Sequence, residues 1–255
     1  MQGKGQTMRV IEFGKQNSDT VVLIHGGGLS WWNYRAAAQI LQQDHHVILP
    51  VLDGHADSDV AFTTIGDNAS GLISYIDTHF GGQVTAIGGL SLGGQVALEM
   101  LARRPDICRS ALIESALVKP MKLTGALIGP TFGMSYGLIR QRWFARMQAA
   151  YLGIPKALFE DYYRDTCAIG KRDMIAFLKA SCAYEVKAGL TETTAKVKIV
   201  AGGKEQKHIL DSAKLLHRII PGSEVEILPG LGHGDLSLNH PERYVRMLKQ
   251  ITQIK

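Results

Sequence analysis

The sequence has 255 residues, 45% of them apolar, and a formal net charge of +5. That length and apolar content suffice for one large folded domain with a small insertion and argue against a disordered chain. Lysines and arginines are scattered without a basic block or an arginine–aromatic run, so no nucleic-acid partner is expected. The three cysteines lie far apart and show no C-x-x-C spacing, which argues against a disulfide framework and against a zinc site.

The N-terminal residues lack the apolar region of a signal peptide, and no stretch approaches the roughly 18 to 20 apolar residues of a membrane span. We therefore expect a cytoplasmic protein with no membrane partner. Nothing in the sequence distinguishes a monomer from a homodimer.

The first two predicted strands, residues 8–13 and 20–24, lead to a glycine-rich turn, His25-Gly26-Gly27-Gly28. Such a turn after a strand lets backbone amides approach a ligand closely, so the Gly27 amide is the expected donor to a developing negative charge. A phosphate-binding loop is the alternative, and it is disfavoured because neither a P-loop lysine nor G-x-G-x-x-G follows. We expect His25 to brace this turn rather than to transfer protons.

The next part of the chain alternates between helix and strand. A helical pattern begins at Trp31, a β-branched run follows at 47–51, a polar loop occupies 53–58, and a second helical pattern covers 68–80. Strands that alternate with helices predict an α/β fold with a parallel, doubly wound sheet.

The stretch 84–101 passes from a β-branched run to helical spacing through Gly-Leu-Ser-Leu-Gly. Ser91 lies at the bend, and a serine in so sharp a turn needs a positive φ and glycines two residues away, here Gly89 and Gly93. This is the pattern of a nucleophile elbow, which exposes the hydroxyl and leaves the Leu92 amide free to bind negative charge. The alternative is a serine that only caps the following helix.

The alternation stops after the strand at 108–113. Residues 116–193 contain only helical patterns rich in methionine, aromatic and arginine residues, which predicts a helical cap inserted into a core of residues 1–115 and 194–255. Four large apolar side chains, three from this cap and one from the first helical pattern, are expected to line a substrate pocket above the elbow: Phe132, Met134, Trp143 and Trp31. Ordinary core packing is the alternative for each of them.

The regular pattern resumes with a strand at 196–201, and Glu205 follows it after a Gly-Gly-Lys turn. The last strand, 224–228, leads through Pro-Gly-Leu-Gly to His233. Ser91, Glu205 and His233 therefore all follow predicted strands, at the edge where open α/β sheets bind ligands. A serine becomes nucleophilic when a histidine removes its proton and a carboxylate orients that histidine, so these three residues are the expected catalytic set.

These motifs resemble those of the α/β-hydrolase family, of the esterase, lipase and C–C hydrolase type. The resemblance covers nearly the whole chain and rests on His25-Gly26-Gly27, the loop from Asp53 to Ser58, the elbow at Ser91 and Gly230-Leu231-Gly232-His233. Ala56 departs from the second glycine of the family's loop, and Glu205 stands where the family usually has aspartate. The resemblance implies a mostly parallel, doubly wound sheet of eight strands with helices on both faces.

The resemblance also supplies a second candidate for the acid, because Glu114 closes the strand 108–113, from which related hydrolases can provide this carboxylate. It implies that Ser91 attacks a carbonyl, that the Gly27 and Leu92 amides bind the oxyanion, and that an acyl intermediate on serine is hydrolysed. The expected substrate is a small to medium, largely apolar ester, and no cofactor or metal is expected. Cleavage of a C–C bond beside a ketone, or a ligand-binding or signalling role on the same scaffold, are the alternatives.

Overall fold

The computed structural model describes residues 8–252, and for residues 133–135 it describes the backbone alone. Seven strands form one sheet in the order β1-β3-β2-β4-β5-β6-β7. β1 is antiparallel to its neighbour, and the other strands run parallel. The strands are β1 Val10–Phe13, β2 Thr20–Ile24, β3 His46–Pro50, β4 Val84–Leu90, β5 Cys108–Glu114, β6 Lys196–Gly202 and β7 Glu224–Leu228.

Within residues 8–252 the sheet has seven strands, where eight were expected. Residues 14–19 alone join β1 to β2, and Gly14 turns the chain there with a φ of 62°. A side chain at Gly14 would overlap the carbonyl oxygen of His45, so the turn is tightly packed and the chain enters β2 directly. Within residues 8–252 no further strand pairs with β1, which therefore forms the edge of the sheet.

The helices of the described chain are α1 Arg35–Leu41, α2 Ile65–Phe80, α3 Leu92–Arg103, α4 Lys122–Ser135, α5 Arg142–Tyr151, α6 Phe159–Ala168, α7 Lys171–Ala183, α8 Lys207–Ile219, α9 Asp235–Asn239 and α10 Pro241–Thr252. Four of them, α4 to α7, lie between β5 and β6, and we call residues 122–183 the helical segment. None of the helices in residues 8–252 has the length and apolar character needed to cross a bilayer.

Helices cover both faces of the sheet because its strands alternate their side chains between two apolar clusters. Val22 and Ile24 of β2 belong to the cluster that contains residues of α2, α3 and α8. Val21 and Leu23 belong to the cluster that contains residues of α1 and α10. All five residues of β2 are buried, as a central strand covered on both sides requires.

The parallel strands bring several loops to one edge of the sheet. In the register of the ladder, Leu90 at the end of β4 lies opposite Glu114, and Glu114 lies opposite Val200 of β6. Gly202 at the end of β6 lies opposite Leu228 at the end of β7. The residues that follow these four strand ends therefore meet at the carboxyl edge, where open α/β sheets bind ligands.

Candidate active site

Ser91 occupies a sharp turn between β4 and α3. Its φ is 52° and its ψ is −111°, a backbone conformation that is strained for a residue with a Cβ. A side chain at Gly89 would overlap the Gly93 carbonyl, and one at Gly93 would overlap the Ile24 carbonyl, so both positions require glycine. The Ser91 hydroxyl makes no capping hydrogen bond to α3, which argues against the capping alternative.

The loop after β7 carries His233 towards this turn. Gly234 packs against Leu90, the residue before Ser91, and a Cβ on Gly234 would lie 3.1 Å from Leu90 Cδ2. The His233 imidazole is 44% exposed, and its Nδ1 lies 2.7 Å from Glu205 Oε2. Because a carboxylate can only accept a hydrogen bond, Nδ1 carries the proton and Nε2 is the basic nitrogen.

The Glu205 carboxylate is buried, and both of its oxygens are hydrogen-bonded. Oε1 accepts from the Ser115 hydroxyl at 2.6 Å and from the Gly202 amide at 2.8 Å, while Oε2 accepts from His233. Burial by itself would raise the pKa of this carboxyl, but these hydrogen bonds and the His233 charge outweigh it and hold the pKa below its ordinary value. Glu205 is therefore ionised at neutral pH beside the imidazole.

Glu114, the other candidate for the acid, is buried at 2% exposure. Its Oε1 accepts a hydrogen bond from the Ser237 amide at 3.3 Å, and its Oε2 has no partner among the described residues. Burial raises the pKa of Glu114 to about 7. Since Glu114 binds to α9 and Glu205 binds to His233, the geometry favours Glu205 as the partner of the imidazole.

The glycine-rich turn after β2 uses most of its amides internally. The Gly26 amide donates to Asn33 Oδ1 at 3.3 Å, the Gly28 amide to His55 Nε2 at 3.1 Å, and the Leu29 amide to the Gly26 carbonyl at 3.1 Å. Gly27 is the residue of this turn whose amide finds no acceptor in the described part of the chain. A Cβ on Gly27 would lie 3.5 Å from Leu92 Cβ, so the two expected oxyanion donors are neighbours.

Two buried histidines hold the turn in place. His25 Nδ1 donates to the Gly26 carbonyl at 2.8 Å and its Nε2 accepts from the Leu52 amide at 3.1 Å, as expected of a bracing residue. His55 Nδ1 donates to the Asp53 carbonyl at 3.0 Å, and its ring stacks on Phe177 at 4.5 Å. Burial lowers the pKa of His25 to about 3 and the pKa of His55 to about 4. Both rings therefore stay neutral near pH 7, and their Nε2 atoms remain acceptors.

Two cavities adjoin these groups and share Tyr151 and Leu152 as wall residues. The inner cavity, of about 300 Å³, lies between the glycine-rich turn and the helical segment. The outer cavity, of about 500 Å³, has Glu205 and His233 in its wall. The helical segment contributes these residues to the inner cavity: Phe132, Ile139, Gln148, Tyr151, Leu152, Tyr162, Thr166, Met174, Phe177 and Leu178. Across residues 8–252, no group of three or more His, Cys, Asp or Glu side chains is arranged to hold a metal ion.

The four residues expected to line a pocket have different outcomes. Phe132 lies in the wall of the inner cavity. The expectation for Trp143 is wrong, because Ala145 and Ala149 take the buried side of α5 and leave the indole 62% exposed. Met134 falls within residues 133–135, so its side chain lies outside the described part of the structure.

Trp31 also lines neither cavity. Its ring lies beside the Arg35 guanidinium, 4.7 Å from the ring centroid, in a cation–π contact. The neighbouring Trp32 is the fully buried member of the pair, and its Nε1 donates to Asp165 Oδ2 at 2.7 Å. Neither tryptophan of the pair therefore lines a cavity, and Trp32 packs in the core beside α1 and α10.

Sequence reasoning missed three residues that shape the site. The Ser115 hydroxyl donates a hydrogen bond to Glu205, and Ser115 has a φ of 56°. The residues around Ser115 show no pattern that predicts a turn. Asn33 accepts from the glycine-rich turn across seven residues of chain. His55 lies inside the loop from Asp53 to Ser58, so the family resemblance pointed to its loop but not to its contact with Gly28.

The sequence profile of the alpha/beta hydrolase family matches residues 21–247, a range that includes the elbow, Glu205 and His233. The chain belongs to the alpha/beta hydrolase family. Membership of this family makes it an enzyme of the hydrolase class, and it confirms the family expected from the motifs and the mostly parallel, doubly wound α/β fold.

Other alpha/beta hydrolases similar to this chain include esterases. A pimeloyl-[acyl-carrier protein] methyl ester esterase of Neisseria meningitidis is 25% identical over 247 residues, which cover 91% of this chain and 93% of that protein. An esterase from Exiguobacterium antarcticum superimposes with a TM-score of 0.79 at 19% identity, covering 96% of this chain and 95% of the other. A thermophilic esterase from Thermogutta terrifontis gives a TM-score of 0.75 at 19% identity, covering 95% and 92%. The structural likenesses concern the fold.

Proposed function

We propose that this alpha/beta hydrolase is a serine esterase that hydrolyses small to medium, largely apolar esters with Ser91, His233 and Glu205 as its catalytic residues. The observation that carries the proposal is the buried, ionised Glu205 at 2.7 Å from Nδ1 of a half-exposed His233, on a loop whose Gly234 packs against Leu90, the residue before the strained Ser91. A carboxylate so placed fixes the tautomer of the histidine and stabilises the imidazolium that forms when the serine is deprotonated.

In the proposed reaction, the Ser91 oxygen attacks the ester carbonyl while His233 Nε2 takes the hydroxyl proton. The Gly27 and Leu92 amides donate hydrogen bonds to the carbonyl oxygen as it becomes an oxyanion. His233 then gives its proton to the departing alcohol, which leaves an acyl group on Ser91. A water molecule, deprotonated by His233, attacks this acyl group, and collapse of the second oxyanion releases the acid and restores the serine.

Several features support an ester of limited size. The inner cavity adjoins Gly27, the outer cavity adjoins His233, and residues of the helical segment form most of the wall of the inner cavity. The acyl part therefore occupies the inner cavity, and the alcohol part, which receives the proton of His233, occupies the outer one. The Neisseria relative is named as a methyl ester esterase, which supports a carboxylic ester as the substrate class here.

The test compares the wild-type protein with Ser91→Ala on p-nitrophenyl esters from acetate to palmitate, beside a panel of ketones. We expect butyrate and hexanoate esters to be cleaved faster than palmitate, and Ser91→Ala to lose at least ~10³-fold in kcat with unchanged thermal unfolding. Ser18→Ala, in the exposed turn before β2, is the control and should retain full activity. Activity of Ser91→Ala within tenfold of wild type would overturn the proposal, and turnover of ketones alone would favour C–C bond cleavage.

A further inference from the structure

The turn that carries His233 is closed by the side chain of Asp235. Asp235 Oδ2 accepts a hydrogen bond from the Gly232 amide at 2.8 Å, and the Asp235 amide donates to the Gly232 carbonyl at 3.4 Å. His233 lies between these two residues in the chain. The carboxylate of Asp235 therefore fixes the backbone from which the imidazole extends.

The other oxygen of this carboxylate connects the turn to the helical segment. Asp235 Oδ1 accepts a hydrogen bond from Asn239 Nδ2 at 2.8 Å, and the same nitrogen donates to the Gly153 carbonyl, also at 2.8 Å. A side-chain amide nitrogen carries two hydrogens, and both of the groups that this one faces are acceptors. Asn239 can therefore make both contacts at once, and they fix the orientation of its amide.

The backbone at the end of α5 presents the Gly153 carbonyl to Asn239. The Gly153 amide donates to the Ala150 carbonyl at 3.3 Å. The Ile154 amide donates to the Ala149 carbonyl at 2.9 Å, and the two bonds form the Schellman pattern of a helix end. Gly153 has the positive φ, 68°, that this pattern requires. A Cβ on Gly153 would lie 3.4 Å from Asp235 Oδ1, so the helix end lies directly against the turn.

These contacts lie in the wall of the outer cavity. One part of that wall is the end of α5, residues 150–153, and another part includes His233 and Asp235. Tyr151 and Leu152 also belong to the wall of the inner cavity. Because these two side chains are 83% and 39% exposed, packing holds them weakly. The hydrogen bond from Asn239 holds the backbone beside them.

We propose that Asp235 and Asn239 are positioning residues that hold the end of α5 against the turn of His233 and thereby set the preference of the enzyme for large over small alcohol groups. This inference rests on the proposed function, since it places the alcohol part of the ester in the outer cavity. A large alcohol group reaches the wall at residues 150–153 and gains binding energy from it, whereas a small one does not. A wall held at a fixed place beside the base therefore favours the large group.

The first experiment compares ethyl and hexyl butyrate, which share the acyl part and differ only in the alcohol. We expect the wild-type KM to be lower for hexyl butyrate. Asn239→Ala should raise the KM for hexyl butyrate at least about threefold more than the KM for ethyl butyrate. Asn239→Asp keeps the size of the side chain but removes the two donors, so it should act in the same direction. An unchanged ratio of the two KM values in both variants would overturn the inference while leaving the esterase proposal intact.

Asp235→Ala tests the contact on the other side of the carboxylate. It removes the bonds to both Gly232 and Asn239, so it should lower kcat about tenfold for both esters and also raise the KM for hexyl butyrate. Asn17→Ala is the matched control, because it removes an amide bond to the Gln42 carbonyl in the turn before β2, and it should change neither constant. Thermal unfolding of each variant controls for general destabilisation. A wild-type kcat in Asp235→Ala would contradict the role of Asp235.

Hydrogen exchange followed by mass spectrometry separates this inference from the proposed function, because it requires no turnover. Asn239→Ala should speed the exchange of the amides of residues 150–154 at least about threefold, whereas Asn17→Ala should not. Faster exchange there supports the contact between α5 and the turn even if the protein hydrolysed neither butyrate ester, a result that would count against the proposed function. Unchanged exchange in Asn239→Ala overturns the inference.

Discussion

The carboxyl edge of the sheet and the helical segment differ in how their side chains are placed: the edge buries hydrogen-bonded polar groups, whereas the helical segment exposes charged and large apolar ones. At the edge, Glu205, His25 and His55 are buried, and each is bound to backbone or to another side chain at 3.1 Å or less. The helical segment carries nine lysines and arginines and four acidic residues. Its formal charge of +5 equals the net charge of the whole chain. The seven well-exposed large apolar side chains of the described chain also lie here, between Leu123 and Leu152.

The difference between these two regions separates the residues expected to carry out the reaction, at the edge, from the residues expected to select the substrate, in the helical segment. Hydrogen bonds to fixed strand ends hold the groups at the edge within narrow geometry, as the proposed acyl transfer requires. The wall that the helical segment gives to the inner cavity consists mostly of apolar side chains, and apolar packing tolerates changes of side chain more readily. Substitutions at the edge should therefore change kcat strongly, whereas those in the helical segment should change the choice between substrates.

The largest effect is expected from the carboxylate at the edge. Glu205→Gln should lower kcat by ~10²- to 10⁴-fold with little change in KM, because the amide cannot stabilise the imidazolium of His233. Glu114→Gln should lower kcat by less than ~10-fold, because Glu114 is hydrogen-bonded to Ser237 instead. Steady-state kinetics of both variants check this ranking, and the reverse ranking would assign the acid to Glu114.

A second effect concerns stability rather than rate. Burial raises the pKa of Glu114 from 4.5 to about 7, so the folded protein keeps a proton that the unfolded chain releases near pH 4.5. The contribution of Glu114 is therefore present below pH 4.5 and is lost as the pH rises to about 7, a change of up to about 3 kcal/mol in the free energy of unfolding.

Urea unfolding of wild type and Glu114→Gln between pH 4 and 8 measures this contribution as a difference. His25 and His55, whose pKa values are lowered, contribute stability that is lost as the pH falls below about 6.5. Their contribution is common to both proteins and cancels. Parallel curves for the two proteins from pH 4.5 to 7 would contradict the assignment of a neutral, buried Glu114.

A smaller effect is expected from the residue that fixes the glycine-rich turn. His55→Phe keeps a ring against Phe177 but removes the acceptor for the Gly28 amide, so kcat should fall about tenfold with little change in KM. His55→Gln retains an acceptor and should recover most of that loss. Thermal unfolding of both variants controls for general destabilisation. Equal activity of the two variants would show that the hydrogen bond to Gly28 does not position the turn.

The edge of the sheet could be predicted from the sequence because its constraints act on the backbone. The turn at Ser91 needs glycine on both sides, and the loops that carry Glu205 and His233 follow apolar strands with glycines of their own. Such short-range requirements can be recognised in the sequence as glycines at fixed distances from the functional residue. The roles of these three residues in catalysis stay predictions until they are measured.

The helical segment could not be predicted to the same depth. Trp143 and Phe132 are equally large and apolar, yet one is exposed on α5 and the other lines the inner cavity, because the packing of α4 to α7 decides which face turns inward. Asn239 belongs to no motif, and its hydrogen bond to Gly153 is recognised only once the helices are placed.

The central claim is that the edge of the sheet activates Ser91. The most direct measurement is labelling with a fluorophosphonate, followed by mass spectrometry of the peptides. We predict one adduct on Ser91 in the wild-type protein, none in Ser91→Ala, and labelling slowed at least ~10²-fold in His233→Gln, because the serine is then no longer deprotonated. A wild-type protein that hydrolyses esters but carries the adduct on another residue, or carries none, would contradict the account.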